Sequence, residues 1–93
     1  MTNTGPLTDE ELAAIKARYE AATPGPWQPY IEGRDHVSGS CFIRTGEGAA
    51  RGDDMELTGA TEADYDFIAH ARQDMPRLLE EVEGLRKFVK PHR

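Results

Sequence analysis

The stretch Thr23-Pro24-Gly25-Pro26-Trp27 divides a helical pattern from a strand-like one. Proline lacks the backbone N–H that a helix interior needs, and glycine favours turns, so two prolines around a glycine predict that the chain stops a helix and reverses here. Trp27 then supplies a large aromatic side chain for a core. The segment therefore predicts a helix before it and a sheet after it.

The upstream helix begins at a capping box. In the segment Thr8-Asp9-Glu10-Glu11, the Thr8 hydroxyl can accept from the Glu11 amide while the Glu11 carboxylate reaches back to the Thr8 amide. Apolar positions then recur every three or four residues, which predicts one buried stripe on a helix ending before Thr23. These positions are Leu12, Ile15, Tyr19 and Ala22.

Three short strand-like runs follow, Trp27 to Glu32, Ser40 to Thr45 and Met55 to Thr58. The loops between them, 33–39 and 46–54, are rich in glycine and suit hairpin connections. The pattern predicts a small three-stranded antiparallel meander, in which Pro29 makes the first run an edge strand. Alternation predicts that Trp27 and Phe42 face the core.

The last block predicts a kinked pair of helices. Thr61 is a second N-cap, and the residues after it place Tyr65, Ile68 and Ala69 on one face. Pro76 should break or bend the helix near 73–76. Beyond it, apolar residues alternate at spacings of three and four, as in a coiled coil, at Met75, Leu78, Val82, Leu85 and Val89. This seam should pack on the first helix or, alternatively, on the same helix of a second copy.

Two segments carry a family resemblance. Ala21-Ala22-Thr23-Pro24-Gly25-Pro26-Trp27 after an amphipathic helix, together with Asp66-Phe67-Ile68-Ala69-His70-Ala71-Arg72-Gln73-Asp74-Met75-Pro76-Arg77-Leu78-Leu79, resembles a family of small actinobacterial and phage proteins. The chain is more distantly similar to the Ead-like early-region proteins of lambdoid phages. The resemblance implies an accessory protein of phage or prophage origin and supplies no reaction.

Length and composition favour one α+β domain over residues 1–93, with flexible ends at 1–6 and 91–93. With 38% hydrophobic and 30% charged residues in 93, the chain has a globular composition and room for one modest core. The fold predicted is an N-terminal helix, a three-stranded meander and a kinked C-terminal helix pair.

Charge and cysteine content narrow the class of partner and compartment. The net charge of −6 argues against nucleic acid, because phosphate binding needs a clustered positive surface. The single cysteine, Cys41, allows no intramolecular disulfide, and neither a secretory signal nor a membrane-spanning stretch is evident. We therefore expect a cytoplasmic protein with no membrane contact.

Candidate binding residues concentrate in the middle loops. Glu32, Arg34, Asp35 and His36 crowd one loop, where Arg34 could hold a carboxylate or phosphate and a carboxylate could tune His36. Arg44 and Arg51 could add further anion contacts. No spacing of nucleophile, base and orienting group is evident, so we expect no catalytic residues, and we expect neither a metal nor another cofactor.

Two functions remain open at this point. The first is a non-enzymatic accessory protein that binds a host or phage protein through its acidic surface or its helical seam, with homodimerisation through the C-terminal helix as a further option. The alternative is a protein that binds or sequesters a small anionic or nucleotide-like ligand through Glu32, Arg34, Asp35, His36, Arg44 and Arg51.

Overall fold

The structure, a computed structural model, describes residues 6–89, and side-chain burial through residue 88. In chain order it contains helix α1 (Asp9–Ala21), strand β1 (Trp27–Tyr30), strand β2 (Phe42–Thr45), a 3-10 turn (Gly48–Ala50) and helix α2 (Glu62–Val89). The α+β class is thus confirmed. The predicted flexible ends lie outside the described residues, apart from Pro6.

Helix α1 begins and ends as its sequence predicts. The Thr8 hydroxyl accepts from the Glu11 amide at 3.0 Å, and the Glu11 carboxylate accepts from the Thr8 amide at 2.9 Å. At the other end the Ala22 amide bonds the Tyr19 carbonyl before the prolines end the helix. This reciprocal cap satisfies two backbone donors that a helix start otherwise leaves without partners.

The sheet has two strands, so the prediction of a three-stranded meander is wrong. Strands β1 and β2 pair antiparallel, from Trp27 opposite Thr45 to Tyr30 opposite Phe42. The run Met55 to Thr58 forms only one bridge, in which Met55 and Ile43 exchange both backbone bonds at 2.8 and 2.9 Å. A single bonded pair does not extend into a ladder.

In place of a third strand, the hydroxyl of Tyr65 on α2 joins the two segments. It accepts from the Leu57 amide at 3.0 Å and lies 3.2 Å from the Cys41 carbonyl, to which it can donate. One side chain thereby satisfies backbone groups that a longer ladder would have paired.

The outward edge of β1 is closed by side chains. The Gln73 amide of α2 accepts from the Trp27 N–H at 2.8 Å and donates to the Trp27 carbonyl at 3.2 Å. Pro29 and Ile31 are the next residues that face this edge. Pro29 has no N–H, and the Ile31 N–H donates to the Asp35 carboxylate at 2.8 Å. Pro29 therefore costs the sheet no hydrogen bond at this edge.

The predicted inward position of Phe42 is wrong by one residue. Ile43 is fully buried, whereas Phe42 stacks on Tyr30 with ring centroids 5.2 Å apart. Side chains alternate along a strand, so Ile43 and Phe42 face opposite sides of the sheet. The run Cys41-Phe42-Ile43 is apolar throughout, and alternation alone does not say which member is buried.

Helix α2 is continuous over 28 residues and includes Pro76, so the predicted kinked helix pair is wrong. Its start is as expected: the Thr61 hydroxyl accepts from the Asp64 amide at 3.1 Å, and the Asp64 carboxylate accepts from the Thr61 amide. Pro76 only removes the one bond that its missing N–H would have donated to the Arg72 carbonyl. The helix continues on both sides of that gap.

The main core lies between the sheet and the first half of α2. Ile31, Ile43, Tyr65 and Ala69 are buried together, and Trp27 packs against them from the start of β1. Trp27 is held in turn by its indole N–H, which donates to the Thr23 carbonyl at 3.1 Å. The Thr-Pro-Gly-Pro-Trp turn thus fixes the tryptophan against the core, as its sequence suggests.

Helix α1 packs along the second half of α2 in the antiparallel direction. Asp9 pairs with Arg86 at 2.7 Å and Lys16 pairs with Glu83 at 3.5 Å, while Arg72 lies 4.3 Å from the centroid of the Tyr19 ring. Leu12 on α1 and Leu79 on α2 are the buried apolar residues of these two stretches. The two helices are therefore joined by a small apolar contact that is flanked by ion pairs and a cation–π contact.

Two residues of the predicted seam, Leu78 and Leu85, do not make this contact, whereas Met75 and Val82 are half-buried. Leu78 and Leu85 are 60% and 54% exposed, whereas Leu79, one position over, is 6% exposed. Because neighbouring helix positions point in directions roughly 100° apart, α1 covers the Leu79 side and leaves the Leu78 side uncovered. The side chain of Val89 lies outside the described residues.

Candidate functional site

Arg34 is the centre of a cluster of carboxylates, not an open anion site. Its guanidinium lies 2.9 Å from carboxylate oxygens of Asp35, Glu62 and Asp66. Glu62 and Asp66 lie one turn apart at the start of α2, so Arg34 fastens the 33–39 loop to that helix. With three carboxylates around it, the guanidinium is already neutralised, which favours a structural role.

The charges of this cluster shift one another's proton affinity. Hydrogen bonds from Arg34 lower the pKa of Asp66, and hydrogen bonds from Arg34 and the Ile31 amide lower the pKa of Asp35. Hydrogen bonds with Asp66, which have the larger effect, and with Asp35 raise the pKa of Arg34 above its ordinary value. All three groups are therefore charged at neutral pH.

His36 belongs to a second, local network. Its Nδ1 lies 2.8 Å from the Ser38 hydroxyl and its Nε2 lies 2.7 Å from the Ser40 carbonyl. The Glu32 carboxylate accepts from the Ser38 and Gly39 amides at 2.8 and 2.7 Å, which lowers the pKa of Glu32. These bonds close the loop on itself.

The His36 ring also completes an aromatic group on the outer side of the sheet. It meets Tyr30 and Phe42 edge-on, with centroid distances of 5.8 and 5.1 Å. Arg44 lies 5.5 Å from the centroid of the Tyr30 ring. This arrangement of stacked rings and a cation covers the face of the sheet that α2 does not.

Arg51 has a different partner again, the carboxylate of Asp54 three residues later. The predicted binding residues thus fall into three groups: Arg34 with Asp35, Glu32 with His36 and the nearby Arg44, and Arg51 alone with Asp54. No contact joins Arg34, Arg44 and Arg51 within the described chain.

A second candidate surface lies on α2 and includes Leu78 and Leu85 of the predicted seam, whereas Phe67 and Phe88 were not part of that prediction. Four large apolar side chains are exposed along one side of this helix: Phe67 at 75%, Leu78 at 60%, Leu85 at 54% and Phe88 at 85%. We call this side of the helix the open face. Single exposed apolar residues are ordinary, whereas an aligned set is a candidate interaction surface.

The spacing of these residues makes the open face continuous. Starting at Phe67, steps of four and three residues lead through Ala71, Asp74, Leu78, Glu81 and Leu85 to Phe88. Residues at such spacings form one line along an α-helix. The line spans about 30 Å at 1.5 Å per residue.

Nothing among known proteins adds to this assignment. No protein-family model, curated protein or solved structure matches the chain. The open face is therefore interpreted from its own geometry.

An apolar groove adjoins the open face near its N-terminal end. It has a volume of about 500 Å³ and lies between α1, β1 and α2, with Ile15, Trp27, Phe67, Ala71 and Met75 among its lining residues. Phe67 belongs both to this groove and to the open face. The apolar surface therefore widens at this end of α2, where a partner's side chain could enter.

Two carboxylates interrupt the apolar line. Asp74 lies between Phe67 and Leu78, and Glu81 lies between Leu78 and Leu85. Both are exposed, and neither forms an ion pair within the part of the chain that the structure describes. Arg77 lies at the margin of the same surface and helps to line a shallow hollow with Leu78. The middle of the open face is thus apolar and acidic.

Two other kinds of site can be addressed from the described residues. Over 6–89, no three or more His, Cys, Asp or Glu side chains form a group that could hold a metal ion. Over the same range, neither helix combines the length and apolar content needed to cross a membrane.

Proposed function

We propose that this protein acts without catalysis, by binding another protein through the open face of α2. The observation that supports the proposal is the exposure of four large apolar side chains in one line, at 54% to 85% each. Burying a leucine or phenylalanine side chain is favourable by about 1.5–3 kcal/mol, so covering this line would be strongly favourable. A partner is the simplest way to cover it.

The contacts of the arginines favour this function over binding of a small anion. Arg34 is neutralised by Asp35, Glu62 and Asp66, and Arg51 pairs with Asp54. An incoming phosphate or carboxylate would have to displace these groups. Two of the three arginines that the ligand hypothesis depends on are thus already paired with the protein's own acids, and the third, Arg44, lies over the Tyr30 ring.

The accessory role of phage or prophage type belongs to the proposal as well. It is supported by the resemblance of 21–27 and 66–79 to small actinobacterial and phage proteins. A cytoplasmic setting is part of the same proposal and is supported by the single cysteine. In such a role the protein would act by occupying a surface of a host or phage protein.

Site-specific photo-crosslinking in the native host tests the proposal. A benzophenone amino acid placed at Leu85 on the open face should give a discrete crosslinked product. The matched control is Val37, which is 86% exposed but lies in the 33–39 loop. Products from Leu85 and not from Val37 would support the open face as the contact surface. No product at Leu85, or the same products at both positions, would contradict it.

A further inference from the structure

The acids on the open face narrow the kind of partner it fits. We infer that the partner segment is a basic amphipathic helix. Its apolar residues would contact Phe67, Leu78, Leu85 and Phe88, and its lysine or arginine residues would pair with Asp74 and Glu81. This inference rests on the proposed function and goes further, because it specifies the partner's chemistry.

Shape favours a helical segment. The open face is about 30 Å long, with apolar groups at each end and in the middle. A helix with apolar residues at spacings of three and four presents a complementary line over the same length. Near Phe67 the groove of about 500 Å³ can accept one larger apolar side chain from that helix.

Like charges disfavour a second copy of the chain as the occupant of the open face. If two copies met in parallel and in register, Asp74 would oppose Asp74 and Glu81 would oppose Glu81. If they met antiparallel around Leu78, each Asp74 would come close to Glu81 of the other copy, because these residues lie four and three positions from Leu78. Both arrangements bring like charges into an apolar contact, which is unfavourable.

One residue that could relieve this repulsion, Arg86, is already engaged, whereas Arg77 at the margin of the open face is exposed. In a parallel pair, Arg86 lies one position after Leu85 of the open face and could turn toward Glu81 of the other copy only by leaving its present partners. Here Arg86 bonds the Asp9 carboxylate at 2.7 Å and also donates to the Leu7 carbonyl. The net charge of −6 adds a general repulsion between copies. A basic partner instead pairs with both carboxylates and is attracted by the whole molecule.

The test uses two synthetic helical peptides of about 20 residues, the length that matches the open face. One carries leucine at spacings of three and four with flanking lysines, and the other has glutamate at every lysine position. Binding is followed by fluorescence anisotropy at low and moderate salt. We expect the lysine peptide to bind at least about tenfold more tightly than the glutamate peptide, with the difference shrinking as salt is added.

Three variants assign the binding to the open face. The double variant Asp74→Lys/Glu81→Lys should reverse the preference between the peptides. The control Glu47→Lys/Glu56→Lys makes the same change in net charge at exposed positions off α2 and should keep the preference for the lysine peptide. Leu78→Ser/Leu85→Ser should weaken binding of the lysine peptide by about tenfold or more, because it removes apolar contact.

Several outcomes would overturn the inference. If both peptides bind equally, the charge of the open face does not select the partner. The same conclusion follows if Glu47→Lys/Glu56→Lys abolishes the preference for the lysine peptide as fully as Asp74→Lys/Glu81→Lys does. A dimer by light scattering that Leu78→Ser dissociates would assign the face to a second copy. A crosslink at Leu85 to a protein segment without basic residues would also overturn the inference, while leaving the proposed function intact.

Discussion

At the residue scale, Gln73 has an unusual position for a side chain on a helix, since its amide bonds both the N–H and the carbonyl of Trp27. It thereby acts as a one-residue substitute for a neighbouring strand. Both bonds are partly buried and join residues 46 positions apart in the chain. The contact ties α2 to the first residue of β1.

Replacing Gln73 with methionine should therefore destabilise the fold. The variant keeps a similar shape but leaves two backbone groups of Trp27 without partners, at an expected cost of about 1–3 kcal/mol in the free energy of unfolding. Urea denaturation followed by tryptophan fluorescence measures this. Gln28→Met, at an exposed position of the same strand, is the control and should stay within about 0.5 kcal/mol of the parent. Equal effects of the two changes would contradict the proposed role.

The Arg34 cluster predicts a particular response to acid. Asp35 and Asp66 have pKa values below their ordinary value of 3.8 because Arg34 bonds them. Groups whose pKa is lowered on folding contribute stability at pH values above the ordinary pKa. That contribution is lost as pH falls through the lower, folded values. The two carboxylates should thus support the fold at neutral pH and lose this contribution progressively as the pH falls below about 4.

The substitution Arg34→Met tests whether Arg34 causes this pH dependence. The variant should melt at a lower temperature than the parent at about pH 7, and the gap should narrow as the pH is lowered from about 5 to 3. Thermal melting by circular dichroism at several pH values measures it. Glu32 lies in a separate network and contributes to both proteins alike. Parallel curves across the acid range would show that Arg34 does not control these carboxylates.

At the scale of the elements, the neighbours Leu78 and Leu79 have opposite environments. Leu79 is 6% exposed on the side of α2 that faces α1, and Leu78 is 60% exposed on the open face. The interval between them is one residue, so both occupy the same stretch of the helix. Comparing substitutions at the two positions therefore measures how much the packing of α1 on α2 contributes to stability.

Leu79→Ala should cost about 2–5 kcal/mol in the free energy of unfolding, because it removes buried apolar contact and leaves a cavity. Leu78→Ala should change it by less than about 0.5 kcal/mol. Chemical denaturation of the two variants in parallel checks the difference. A large loss for Leu78→Ala would mean that its side chain is covered in the folded protein.

The elements that local rules specify were predictable, whereas those that depend on distant residues were not. The cap at Thr8 and the turn at 23–27 involve neighbours, and both were placed correctly from the sequence. The predicted strand Met55 to Thr58 does not form because, after the Met55–Ile43 pair, the Leu57 amide donates to the Tyr65 hydroxyl and the ladder does not extend. A break at Pro76 was expected from a local rule, but packing of α2 on both the sheet and α1 keeps the helix continuous.

The site shows the same limit. The loop residues Arg34 and His36 are conspicuous in the sequence, but the partners of Arg34 include Glu62 and Asp66, 28 and 32 residues away. No local pattern reveals that they neutralise it. The apolar seam was also recognised by its spacing, but which of Leu78 and Leu79 faces α1 depends on how two helices meet. Adjacent positions of similar chemistry leave that choice open.

At the scale of the whole molecule, the shape is elongated. The principal extents are 59, 34 and 19 Å and the radius of gyration is 16.8 Å, against about 12 Å for a compact domain of this length. The cause is α2, whose 28 residues form a rod about 42 Å long at 1.5 Å per residue. A rod of that length exceeds the diameter of a compact domain this small.

Small-angle X-ray scattering of the isolated protein should reflect this shape. We expect a monomer whose radius of gyration is about 17 Å, slightly increased by the hydration layer, and a pair-distance curve with an extended tail. A concentration series with light scattering should leave the mass near 10.3 kDa. A radius near 12 Å would mean that the end of α2 folds back onto the domain.

The closed edge of β1 has a consequence for how the protein can assemble. Pairing with a foreign strand requires a row of free backbone donors, and at this edge Trp27 bonds Gln73, Pro29 has no donor and Ile31 bonds Asp35. On the far side of the sheet, Ile43 is paired with Met55. The chain therefore offers little template for strand addition or amyloid-like stacking. Although four large apolar side chains are exposed on the open face, we expect the isolated protein to remain free of fibrils.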